Sequence, residues 1–180
     1  MTTPDSIGFL RAMRTLALFA FLPLLVGAAC SDKAEPEVST TDVKVPESFW
    51  VNDAPAAAQD VTAVRAEAKD GAEVTVIGRI QDYRDGQAQF FLADRALMPC
   101  NDRQNDSCPT PWDYCCEDRD KLEKGLLTVE LREPSGKKLL KSSLRGFHGF
   151  EHLKEAVVRG KTHVDDAGNV VVVASALHVR

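Results

Sequence analysis

Gly71-Ala72-Glu73-Val74-Thr75-Val76-Ile77-Gly78-Arg79-Ile80 carries the first strong strand periodicity of the chain. Val74, Val76 and Ile80 fall on one side of an extended backbone, and Glu73, Thr75 and Arg79 on the other. That is the period of a strand with one buried face. Asp85-Gly86 follows as a hairpin turn signal, and Gln87–Asp94 returns with Ala88, Phe90 and Leu92 on one face. Further on, Leu127, Val129 and Leu131 alternate with Thr128 and Glu130, and Pro134-Ser135-Gly136 turns the chain. A short amphipathic segment holding Phe150, Leu153 and Lys154 predicts a short helix. Ala156–His163 and Val170–Val179 then predict two more strands, joined by Asp165–Asn169. Val170–Val173 is β-branched throughout, which suits a strand and not a helix. Upstream, Ala57, Val61, Val64 and Ala68 lie at helical spacing. They predict a helix opened by Pro55, capped by Asp53 and ended by Gly71.

The order strand, strand, strand, helix, strand, strand resembles an OB-fold. The residues that carry the resemblance are Gly71–Ile80, Phe90-Phe91-Leu92-Ala93-Asp94, Val158-Arg159-Gly160-Lys161 and Gly168–Val179. The resemblance implies a mainly β protein: a small five-stranded barrel spanning residues 55–180 with a preceding helix. The alternative is a small open antiparallel sandwich. The fold class also implies ligand binding on strands two and three and on the loops joining strands one–two and four–five. Those loops are short here. The large insertion, residues 95–125, falls between strands two and three, which in the OB-fold is the other end of the barrel from the usual cleft.

The N-terminus carries an address. Arg11 and Arg14 precede an apolar run, Leu16 to Ala29, too short to span a bilayer. It ends Leu25-Val26-Gly27-Ala28-Ala29-Cys30, which resembles a bacterial lipobox, with Gly27 where the family most often has Leu. The resemblance implies a signal peptide over 1–29, cleavage before Cys30 and acylation of its thiol. Acyl chains hold a protein on a membrane without a spanning helix. The expected location is the bacterial envelope, facing the periplasm. Ser31 favours the outer membrane over the inner, by analogy with enteric sorting. Residues 30–54 read as the lipidated N-terminus and a solvated tether, rich in charged residues, Ser and Thr. Phe49-Trp50-Val51 is an apolar exception expected to fold back onto the domain. The net charge of the chain is −5, and removal of the signal leaves it acidic, so nucleic acid is not an expected partner.

Four of the five cysteines, Cys100, Cys108, Cys115 and Cys116, lie in the insertion. In an exported chain they predict two disulfides that brace the loop, each contributing about 2–3 kcal/mol. A bond between adjacent Cys115 and Cys116 would strain its ring. That leaves Cys100–Cys115 with Cys108–Cys116, or Cys100–Cys116 with Cys108–Cys115. No cofactor is expected on this reading. The alternative is a thiolate metal or redox centre holding zinc or an iron–sulfur cluster, although the spacing lacks a C-x-x-C knuckle. Asp102, Asn105 and Asp106 lack the spacing of a calcium loop and read as solvated.

Trp112 and Tyr114 are candidate partner contacts, as aromatics on a braced loop. His148-Gly149-Phe150-Glu151-His152 matches H-x-x-E-H, an inverted zinc-hydrolase motif. With Gly149 inside it and no distant third ligand, it reads as an exposed polar helix, and no catalytic residue is assigned. Lys137, Lys138, Lys141 and Arg145 form a basic run that reads as a solvated loop, or as a contact for lipid headgroups or a cell-wall polymer. The sequence therefore predicts a membrane-anchored envelope lipoprotein acting as a non-catalytic binding or structural module. Its partners would be the membrane, through the anchor, and an envelope protein or cell-wall polymer.

Overall fold

The structure is a computed structural model that describes residues 44–180. The signal segment 1–29, the lipidation position Cys30 and the tether up to residue 43 lie outside the described residues. The elements are β1 (Gln59–Asp60), α1 (Val61–Glu67), β2 (Glu73–Tyr83), β3 (Gln89–Ala93), α2 (Arg119–Gly125), β4 (Leu126–Glu130), β5 (Glu155–Val164) and β6 (Val170–Val179). The strands run in the order β1-β2-β3-β4-β6-β5, and β2 also pairs with β5. Five strands thus close on themselves, with β1 as an extra parallel strand beside β2. This is a small OB-fold-like barrel, closed by antiparallel β2–β5 and parallel β4–β6 pairing. Closure removes the exposed edges that an open sandwich would leave.

The predicted alternation fills the barrel. Val76, Ile80, Phe90, Leu92, Leu127, Val129, Leu131, Val158 and Val172 are fully buried. Helix α1 contributes Val61 and Val64 to the same core. Gly78 lets it approach: a Cβ there would lie 2.7 Å from the Ala93 carbonyl and 3.1 Å from Val61. Phe49-Trp50-Val51 does fold back, the Val51 N–H donating to the Leu177 carbonyl at 3.0 Å. Val45, further back, is also buried in the core, so the packed region begins earlier than the expected domain start at 55.

Three expectations change. The helix expected from Pro55 begins only at Val61, because Gln59–Asp60 pairs with Val76–Ile77 and Ala57 sits at positive φ. Tertiary pairing overrides the helical preference of this Ala-rich run. The helix expected between strands three and four is a single 3-10 turn, Phe147–Gly149, flanked by Gly146 at φ 78° and broken by His148 at φ 48°. Helix α2, inside the insertion, was not expected.

Gly160 lies where the β5–β6 register shifts. A Cβ there would run into the Val173 carbonyl and sit 2.9 Å from a Val172 methyl. We expect Gly160→Ala to destabilise the barrel by roughly 1–3 kcal/mol, as overpacked sites do. An unchanged urea midpoint would contradict this packing.

Candidate functional site: the cysteine insert and its seat on the barrel

The insertion is docked, not dangling. It leaves β3 at Asp94, a residue only 4% exposed. One oxygen accepts the Thr62 N–H at 2.8 Å and the other the Ala96 N–H at 2.9 Å. Asp94 therefore caps α1 from outside, while Asp60, at the N-cap position, makes no capping bond. Burial disfavours the Asp94 carboxylate, but these donors outweigh it and hold its pKa below the usual carboxylate value. A short aspartate directly after a strand was the only sequence signal for this role.

The two legs of the insert are tied together. Cys100 N–H donates to the Asp113 carbonyl at 2.8 Å, and Asn101 N–H to the Pro111 carbonyl at 2.7 Å. Glu117 holds Arg103 at 2.9 Å and accepts from the Met98 N–H at 3.3 Å. A second, smaller core of Ala93, Leu97 and Tyr114, with Leu122, Leu126 and Leu153 against it, fixes the insert to the outside of β3 and β4. Tyr114 is 2% exposed, so it is not an available partner contact as the sequence reading had it. Its ring is needed for this core. Its hydroxyl lies near the Arg79 guanidinium but outside hydrogen-bond geometry, and burial pushes its pKa up.

The insert also does not stay at the far end of the barrel. It folds back along β2, with Asp102 3.6 Å from Arg79 and Asp113 accepting from Gln81 at 3.4 Å. Gln81 is the extra residue where the β2–β3 register shifts between Ile80 and Asp82. That shift turns Tyr83 inward opposite Phe90. A continuous series of rings results. Phe90 meets Phe150 edge-on at 4.9 Å, and Phe150 meets Tyr83 at 5.7 Å. Tyr83 stacks on His152 at 4.5 Å, and His152 stacks on Trp112 at 4.5 Å. Trp112 ends the series, half-buried.

The H-x-x-E-H residues do not converge, and the helix that would have aligned them is absent. His148 stacks on Trp50 at 4.5 Å and pairs with Glu47 at 3.1 Å. His152 lies between Tyr83 and Trp112. Glu151 is exposed. The metal-capable groups found among the described residues do not include these three.

The four cysteines do converge, and all four are free thiols. Cys115 Sγ lies 3.4 Å from Cys100, 3.8 Å from Cys108 and 3.9 Å from Cys116. Cys100 is fully buried, Cys108 is half-buried, and Cys115 and Cys116 are exposed. Burial pushes the Cys100 thiol pKa up. The neighbouring thiols, Cys100 first, push Cys115 up to about 12. Contacts with the Thr110 side chain and backbone lower the pKa of Cys108.

No protein-family model matches the chain. No curated protein matches it either. Among solved structures it is similar to "OBody AM1L10 bound to hen egg-white lysozyme" at 15% identity and a TM-score of 0.37, over 72% of this chain and 96% of that one. The barrel is defined by the chain's own strand pairing. No helix among the described residues is long and apolar enough to cross a membrane.

The surroundings of His152 predict a pH dependence of folding stability. Burial lowers its pKa, Arg145 adds to this, and Asp82 at 3.7 Å offsets part. The folded protein thus binds this proton less readily than the unfolded chain. The contribution is complete above the unfolded histidine pKa, about 6.5, and is lost as pH falls through that value toward the lowered one. His152→Phe keeps a stacking ring without the titration. We expect it to flatten the fall in urea midpoint between about pH 6.5 and 5; an unchanged slope would show that His152 is not buried as described.

Proposed function

We propose that the protein is a lipid-anchored bacterial envelope protein whose barrel presents the cysteine insert as a non-catalytic binding or structural module. The observation that carries the binding reading is the ring series ending at Trp112. The indole is held by stacking and by a docked loop, so it loses little freedom when a partner covers it. Anchoring through Cys30 rests on the lipobox-like sequence alone, and it would place the module facing the periplasm, with the outer membrane favoured. The acidic charge disfavours nucleic acid, leaving an envelope protein or a cell-wall polymer as the partner class. Separate engagement of His148 and His152 supports a module without hydrolase chemistry.

Two substitutions test this in cells. Cys30→Ser should move the protein from the membrane to the soluble fraction; retention through a high-salt wash would sink the anchor. Trp112→Ala should keep the circular dichroism of the barrel while losing co-sedimentation with purified cell wall or in-cell crosslinking to an envelope protein. Capture equal to the wild type would place the contact elsewhere.

A further inference from the structure

We propose that Cys100, Cys108, Cys115 and Cys116 form a tetrahedral thiolate site for one divalent cation of the zinc class. The geometry points to this over a fixed pair of disulfides. Cys115 stands 3.4, 3.8 and 3.9 Å from three different thiols, so it selects no single partner. An ion about 2.3 Å from each of four sulfurs sets neighbouring sulfurs about 3.8 Å apart, and the three separations bracket that value. Cys100 lies within 4.8 Å of Cys116 in one group and of Cys108 in another. Five of the six sulfur–sulfur edges are therefore already short.

The site is also built in advance. The Cys100–Asp113 and Asn101–Pro111 backbone bonds hold one leg carrying Cys100 beside the leg that leads to Cys115 and Cys116. The Cys108 thiol is held by contacts with Thr110 at 3.4 and 3.6 Å. Arg103, which stands between Cys100 and Cys108 in the sequence, is already paired with Glu117. Asp102, Asp106 and Asp113 add negative charge to the same loop. Binding replaces four S–H bonds with four S–metal bonds and releases four protons to solvent. No oxidant is consumed, whereas two disulfides would need an acceptor for four electrons. The bound ion would join both legs of the insert at one point, which rigidifies the loop that carries Trp112.

The test uses the full-length chain in detergent, reduced, made metal-free under anaerobic conditions and titrated with Cd²⁺ as an optical probe. We expect a sulfur-to-metal charge-transfer band that saturates at one ion per chain, with all four insert thiols protected from alkylation. Cys108→Ser and Cys116→Ser, both outside the buried core, should stay folded and bind at least about tenfold more weakly, since even supporting residues of metal sites commonly cost that much. Asp106→Asn, whose carboxylate groups with Cys100 and Cys108, should bind as the wild type does. No saturable band, or unprotected thiols at saturation, would overturn the site. So would weakening by Asp106→Asn with none from Cys116→Ser, because the set would then not be four sulfurs.

Discussion

The extra residue in β2 is the constraint on which the rest of the molecule turns. Between Ile80 and Asp82 the β2 strand carries one more residue than its partner β3. Bulges bend a strand and redirect the side chains that follow. Here Gln81 is left free to bond Asp113 of the insert, and Tyr83 is turned inward opposite Phe90. The same segment receives the chain before β5. Leu153 N–H donates to the Ile80 carbonyl and Ile80 N–H to the Lys154 carbonyl, each at 2.8 Å. That exchange sets His152 beside Tyr83, and His152 in turn offers its second face to Trp112. One irregularity therefore joins barrel core, β5 entry and insert.

The insert solves a problem common to polar loops. Many of its residues are charged or small, and it cannot form an independent core. It borrows one instead. Tyr114 and Leu97 sit against Ala93, with Leu126 on the outer side, while Asp94 binds the start of α1. Each contact is small. Together they hold the loop against the barrel, with Cys115 and Cys116 exposed and Trp112 half-buried. A loop held this way can present a site without large rearrangement on binding.

The barrel was legible because its strands alternate. Val76, Ile80, Phe90 and Leu92 need nothing but period and burial to be placed. The helices were less legible, and for distinct reasons. Ala57 and its neighbours have helical preference, but a two-residue pairing with β2 takes the first turn away. The segment around His148 has the right apolar residues but two glycines and a left-handed histidine. Helix α2 carries mostly charged residues, with Leu122 as its packed apolar side chain, so periodicity had little to act on. For the site, the four cysteines were visible from their number and spacing, and the half-buried Trp112 from its type. The burial of Tyr114 and the roles of Asp94, Gln81 and Tyr83 depend on which strand faces the insert, which local patterns do not encode.

The central claim is that the insert is a fixed part of the barrel and not a loop that closes only when its cysteines are cross-linked. Amide hydrogen exchange on the reduced, metal-free chain addresses it directly. The Cys100 and Asn101 amides bond across the insert to Asp113 and Pro111. They should exchange only through sub-global opening, with protection approaching that of β3 and β4. Exchange at the rate of the exposed Asp165–Asn169 turn would contradict the account, and the ring series from Phe90 to Trp112 would then not be a standing feature of the molecule.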